Sequence, residues 1–303
     1  MLIEDFLTYM RCELNYSAHT VLSYRTDLEQ WREFATGGKK DDFDPLDVTT
    51  GDLRQWILHQ ATAGDGARTL RRKATSLRSF YKYLMRNGRI DHNPASDLIL
   101  AKPDKPLPNF IRPHETESIF DEPFDRENFL ETRDRLILLM LYTTGMRRAE
   151  LLALTDVNVD TARCELKVLG KRNKERIIPF GPELKDMIEL YRSLRLQETT
   201  EMPEVFFVRP GGFPLYPMLV ERIVKAGLTG RAHAAKLSPH VMRHSCATDL
   251  LNNGADITAV QQLLGHASLR TTQVYTHLTY RELQNNYQLA HPRAQKKGGH
   301  HGS

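Results

Sequence analysis

The sequence predicts a mainly α protein with a small β-sheet, arranged as an all-helical N-terminal domain followed by an α+β domain. Three observations carry this. Apolar residues recur at helical spacing through the first hundred positions. A stretch rich in proline and charge, Lys102-Pro103-Asp104-Lys105-Pro106-Leu107-Pro108, then interrupts the pattern and cannot hold a helix. In the otherwise helical second part, two short strand-like segments flank the polar turn Gly170–Glu175. A length of 303 residues with 40% hydrophobic side chains suits two domains, each with its own core.

Taken in order, Leu2, Phe6, Tyr9 and Met10 mark a first helix. Ser17 to Thr20 supplies capping residues for a second, whose stripe is Val21, Tyr24, Leu28, Trp31 and Phe34. Thr49-Thr50 precedes a third over Asp52–Ala61. Thr69–Asn87 is the fourth, with Leu70, Ala74, Leu77, Tyr81 and Leu84 in register and Gly88 where a C-terminal cap belongs. The helical domain therefore takes residues 1–100 and the linker 101–111; the alternative is a long surface loop inside one domain. Residues 112–291 form the second domain and 292–303 a flexible tail. In the second domain Arg133–Tyr142 is a strongly apolar helix broken by Gly145, and a short helix resumes over Arg147–Leu154. Cys164–Leu169 and Arg176–Phe180 are the two strands, and Val205–Val208 is read as a further short strand before the turn Pro210-Gly211-Gly212.

Charge is distributed unevenly. Net charge is only +4, but Arg68, Arg71, Arg72, Lys73, Arg78, Lys82, Arg86 and Arg89 face one acid, Asp91, between Arg68 and His92. A solvated helix face normally mixes signs, so this helix reads as an anion-binding surface, with Arg71, Arg72, Lys73 and Arg78 as candidate DNA contacts. Cys12, Cys164 and Cys246 are scattered and odd in number, with neither disulfide nor metal-site spacing, which suits a reducing cytoplasm. No signal peptide is visible, and no apolar run approaches the ~20 residues of a membrane span. The expected location is cytoplasmic, with no membrane partner.

Several short motifs bear chemistry. Ser238-Pro239-His240-Val241-Met242-Arg243 opens a helix with a capping serine and a proline at its first position, and sets His240 and Arg243 on one face. Helix N-termini attract anions, so this pair could converge on a phosphate. Taken alone, His-x-x-Arg is common by chance. Leu263-Leu264-Gly265-His266 ends a short helix that begins near Asp256, and Gly265 would turn the chain so that His266 stands in a loop. Nine residues on lies Tyr275, which by itself would be a half-buried core tyrosine. Thr143-Thr144-Gly145-Met146-Arg147-Arg148 places an arginine just past a glycine break; Arg148 rivals Arg147, and either could be a surface charge paired with Glu150. Lys171 sits at the hairpin tip, either simply solvated or able to reach into a DNA groove.

Together these motifs resemble the tyrosine recombinases, and among them the Xer recombinases. That family orders its site as Arg, Lys, His-x-x-Arg, His or Trp, then Tyr. The order falls here on Arg147, Lys171, His240, Arg243, His266 and Tyr275. Ser17–Leu28 is similar to the first helices of the family's core-binding, SAM-like domain, and Ala290-His291-Pro292-Arg293-Ala294 to the end of Xer-type chains. Arg172, Arg148 and Cys246 depart from common family residues, and none is among the six.

The resemblance implies a site-specific recombinase clamped around double-stranded DNA. Tyr275 would attack the scissile phosphate to give a 3′-phosphotyrosyl enzyme. Arg147 and Arg243 would hold the non-bridging oxygens, and Lys171 would protonate the leaving 5′-oxygen, with Lys174 next in line. His240 would serve as acid/base partner and His266 would hydrogen-bond the phosphate. No cofactor is implied: the phosphotyrosine retains the bond energy, and arginines neutralise charge where another enzyme uses a metal. The implied partners are a recombination site and either a homotetramer on two sites or a heterotetramer with a related recombinase. In this arrangement a helix near Leu283, Tyr287 and Ala290 passes to a neighbour; docking on its own domain is the alternative. The role would be chromosome-dimer resolution or mobile-element integration and inversion. Rival functions are a type IB topoisomerase-like enzyme and a non-catalytic DNA-binding regulator.

Overall fold

The structure is a computed structural model that describes residues 2–37, 43–100, 110–170, 175–199, 203–265 and 280–294. It divides into two units, Met1–Pro106 and Leu107–Ser303.

The first unit holds α1 (Leu2–Cys12), α2 (Ala18–Ala35), α3 (Thr50–Thr62) and α4 (Ala67–Arg86). Local chemistry sets their starts. The Ser17 hydroxyl accepts from the Thr20 amide at 3.2 Å, and Thr49 and Asp52 form a reciprocal capping box at the head of α3. Gly88, with φ +65°, follows α4 as its left-handed terminator. The apolar stripes meet in one core of Leu28, Trp31, Trp56, Leu77, Phe80, Tyr81 and Leu84.

In the second unit α5 (Pro113–Asp121) leads into α6 (Phe129–Thr144), a helix buried along nearly its whole length. A helix apolar all round needs neighbours on every side. Here α8 (Pro182–Glu198), α9 (Pro217–Leu228) and α10 (Pro239–Asn252) supply them. The remaining helices are α7 (Arg148–Leu152), α11 (Ile257–Leu264) and α12 (Tyr280–Ala290). Three antiparallel strands, β1 (Val159–Asp160), β2 (Glu165–Leu169) and β3 (Glu175–Pro179), stand in the order β1-β2-β3. Leu166 lies opposite Ile178, and both are buried. Two expectations need correcting. β1 is too short to show a period of two and was missed. Val205–Val208 is no strand: the Phe206 amide donates to the Leu154 carbonyl, the Val208 amide donates to the Tyr191 hydroxyl, and one isolated bridge joins Val208 to Pro214. Its apolar run serves the core, where Phe206 and Phe207 pack with Tyr191.

In this single chain α12 lies against α10, α11 and β3 of its own unit. Tyr287 is buried and stacked on His291 at 5.1 Å, and Leu283 and Tyr287 close a groove lined by Leu250, Ala259, Val260 and Leu263. Burial depresses His291 to about 3, so its ring packs as a neutral aromatic. Residues 292–294, which the sequence reading placed in a flexible tail, pack against the second unit. Arg293 is buried and pairs with Glu183 and Asp121, which fastens the chain beyond α12 to α8 and α5. A helix with a narrow apolar stripe docks wherever a groove is available. For an isolated chain the available groove is its own.

Tyr287→Ala would remove a fully buried ring, a change that typically costs about 3–5 kcal/mol. The thermal midpoint of the free protein should fall by about 6 °C or more. A midpoint within a degree of wild type would show that α12 leaves this groove empty in solution.

Candidate active site

Three of the six candidate site residues lie among the described residues: Arg147, His240 and Arg243. Lys171, His266 and Tyr275 lie outside them.

The α6–α7 turn presents Arg147. Gly145 ends α6 in the left-handed conformation, φ +58°. A side chain there would be strained, and it would also collide with Leu264 and crowd Cys246. The turn can therefore press directly on α10 and α11. Arg147 is the N-cap of α7, and its amide donates to Glu150 at 2.7 Å. Its guanidinium, with a side chain 36% exposed, donates from Nη1 to Glu150 at 2.8 Å and from Nη2 to the Gly265 carbonyl at 2.7 Å. Arg148 points elsewhere, pairing with Glu221 on α9 at 2.6 Å. The rivalry on this turn thus separates by direction.

The first turns of α10 present His240 and Arg243. Ser238 is the N-cap and Pro239 the first helical residue, as the motif required, although the Ser238 hydroxyl makes no capping hydrogen bond. His240 is exposed and Arg243 buried. Arg243 donates to the Gly145 carbonyl and the Leu264 carbonyl, each at 2.5 Å. Burial, and then the charge of Arg147, bring it down to about 10, so it remains a cation at neutral pH. The helix is itself fixed. Ser245 accepts from the Ile111 amide at 2.7 Å, and Asp249 accepts from the buried Tyr142 hydroxyl at 2.7 Å.

Two residues outside the six candidates complete the cluster, and one of them, Glu150, entered the sequence reading only as a partner for Arg147 or Arg148. Glu150 is buried and touches both Arg147 and Arg176. Arg176, at the start of β3, grips both Glu150 oxygens at 2.8 Å and donates from Nε to the Leu263 carbonyl at 2.8 Å. Burial alone would raise the Glu150 carboxyl. The hydrogen bonds from Arg176 and Arg147 outweigh it and bring the group down to about 2. A glutamate three residues after a helix-start arginine is capping-box spacing, a signal that could have found Glu150. The carbonyls of Leu263, Leu264 and Gly265 at the end of α11 are thus met by Arg176, Arg243 and Arg147 respectively. Three cations against one carboxylate leave a local excess of positive charge in which two guanidiniums keep spare N–H groups. Such a site can take an anion with two accessible oxygens. Among the described residues no group of side chains could hold a metal ion.

The basic helix α4 divides. Lys73 is buried, 2.7 Å from Asp65, bonded to Gln60 and over the Trp56 ring. An ammonium inside a core needs such partners. The Lys73 ammonium is thus committed to the core, which counts against the expected DNA contact. Arg78 likewise turns inward, to the carbonyls of Ala95 and Leu98, and fastens the segment after α4. Arg72 pairs with buried Asp27 yet stays 44% exposed. Arg71 is exposed on the same outer face as Arg68, Lys82 and Arg86.

Comparison with known proteins follows this geometry. Residues 109–282 match the phage integrase family, and residues 3–88 match the phage integrase N-terminal SAM-like domain. The chain is 36% identical to tyrosine recombinase XerC of Chlorobaculum parvum, over 96% of this chain and 94% of that one. It is 38% identical to tyrosine recombinase XerC of Listeria innocua, over 95% and 97%. Among solved structures, the Tn1549 transposon integrase in complex with transposon right end DNA superposes with a TM-score of 0.70 at 20% identity, covering 94% of this chain and 97% of that one. XerH bound to its difH substrate superposes with a TM-score of 0.66 at 20% identity, covering 93% and 82%. At that identity the two structures show the shared fold.

Glu150 carries a pH prediction. Its folded carboxyl lies below the usual 4.5, so the stabilisation is complete above about pH 4.5 and is lost as the pH falls towards 2. The displacement corresponds to roughly 3 kcal/mol. In urea unfolding, wild type should exceed Glu150→Gln by a constant margin near neutrality, and the margin should shrink below about pH 4.5. A margin independent of pH between 3 and 6 would contradict the pairing.

Proposed function

Because the chain belongs to the phage integrase family of tyrosine recombinases, we propose that its arginine cluster holds a scissile DNA phosphate for attack by Tyr275. The protein is a site-specific tyrosine recombinase, an enzyme that cuts and rejoins DNA. One observation supports the assignment of roles. Arg147 and Arg243, from distant parts of the chain, converge on consecutive carbonyls at the end of α11, immediately before the segment that carries His266 and Tyr275.

In this reading Arg147 and Arg243 donate to the two non-bridging oxygens. Planar guanidiniums suit the task because they offer paired donors and stay charged. Both are oriented before substrate arrives, so little reorganisation is needed as charge builds in the transition state. The Tyr275 hydroxyl forms the new bond to phosphorus and the bond to the 5′-oxygen breaks, leaving a 3′-phosphotyrosyl link. The 5′-oxygen takes its proton from Lys171. His240, exposed at the head of α10, exchanges the Tyr275 proton, and His266 hydrogen-bonds the phosphate. Rejoining runs the same steps backwards with a 5′-hydroxyl from the partner strand, and no external energy source enters. The outer face of α4, with Arg71 and Arg72, would contact DNA phosphates and contribute affinity more than sequence choice. Strand exchange further calls for a tetramer on two sites, either of one chain or of two related chains, working in the cytoplasm.

Tyr275→Phe should bind a single site as wild type does and form no covalent adduct on a nicked suicide substrate. An adduct that survives the substitution would remove Tyr275 from the mechanism. Lys171→Ala should cleave ~10²–10⁴-fold more slowly, the range for lost acid catalysis. A bridging sulfur at the 5′ position leaves without a proton and should restore most of that rate. Without such restoration the acid is another group, with Lys174 the next to test.

A further inference from the structure

Arg176 lies outside the set that the catalytic pattern names, yet it has the most heavily committed guanidinium in the site. Both Nη atoms are on Glu150 and Nε is on the Leu263 carbonyl. Its side chain is only 12% exposed. Its donors thus point at protein, and it is poorly placed to take a phosphate. The same side chain lies against Gly265: a Cβ there would sit 3.1 Å from Nη1 and 3.3 Å from Cζ. Gly265 itself has φ +65° and terminates α11. Arg176 therefore touches, at one point, the carboxylate that orients Arg147 and the turn from which the chain leaves towards His266.

We propose that Arg176 is a positioning residue: through Glu150 it sets the Arg147 guanidinium, and through Leu263 it sets the end of α11. This rests on the reading of Arg147 as a phosphate clamp. The two links are physically distinct. With Arg176 in place, each Glu150 oxygen accepts one bond from Arg176 and one from Arg147, whose amide and Nη1 it thereby holds. Without it, the carboxylate keeps only its two bonds to Arg147 itself, and Arg147 is steadied from outside that pair by the Gly265 carbonyl alone. The Leu263 carbonyl would lose its Arg176 partner, and such a helix end frays. Lysine cannot substitute fully, because one ammonium cannot span two carboxylate oxygens and a carbonyl in a fixed plane. A displacement of the order of 1 Å at a reacting group is enough to lower a rate about 10²-fold while leaving binding largely intact.

The test is single-turnover cleavage of a nicked suicide substrate by the full chain, with DNA concentration varied and folding followed by thermal melting. Arg176→Met should lower the maximal rate about 10²-fold, with little change in the DNA concentration that gives half-maximal rate. Arg176→Lys, which keeps charge and bulk and is the safer fold, should fall between Arg176→Met and wild type. In an Arg147→Lys background, changing Arg176 should cost much less than it does in the wild type, because the group it positions is already altered. Folded Arg176 variants that cleave at the wild-type rate would overturn the proposal. So would losses that simply multiply with Arg147→Lys, since they would mark a general structural role. If Arg147→Lys itself cleaves as wild type, the clamp reading fails, and the proposal fails with it.

Discussion

A helix ends with carbonyls that have no amide to accept from, and a buried helix end must find donors elsewhere. In α11 the carbonyls of Leu263, Leu264 and Gly265 take theirs from Arg176, Arg243 and Arg147. The site is organised around that arrangement. The partial negative charge of the helix end draws the cations together, and Glu150 among them offsets their mutual repulsion. Gly145 lets the α6–α7 turn approach closely enough for Arg243 to reach its carbonyl.

The same cluster explains how one site can be both rigid and hungry for an anion. Each guanidinium is tethered on one side by the protein, so its direction is set in advance. Among the described residues the cations outnumber the single carboxylate, so the cluster still favours an anion. Arg243 is buried enough for its charge to be costly, and an incoming anion would relieve part of that cost. The helical unit handles charge differently. Lys73 and Arg78 are spent on holding its fold, whereas Arg68, Arg71, Lys82 and Arg86 stay on the outside of α4.

The C-terminal segment illustrates a choice between equivalent grooves. Leu283, Tyr287 and Ala290 bury one stripe, and the described chain buries it on itself, with Arg293 pinned to Glu183 and Asp121. A neighbouring subunit would offer the same groove in an assembly of identical chains. Exchange would therefore trade one contact for a like one, and the geometry of the assembly would decide between them.

Much of the fold was legible from the sequence because it rests on local rules. Periodicity marked α2 and α4 and an apolar run marked α6; Ser17, Thr49 and Asp256 stand at the starts of α2, α3 and α11, and glycines 88, 145 and 265 at the ends of α4, α6 and α11. The order Arg147, Lys171, His240, Arg243, His266, Tyr275 named a chemistry, since residue types in sequence survive without coordinates. What the sequence could not reveal depended on contacts between distant positions. Val205–Val208 looks like a strand until Leu154 and Tyr191 take its amides. Lys73 and Arg71 are neighbours of like charge, and only the packing of Asp65 and Trp56 draws one of them into the core. Arg176 and Glu150, twenty-six residues apart, have no shared local signal. Their union exists because β3 and α7 meet at the end of α11, and that meeting is a property of the tertiary structure alone.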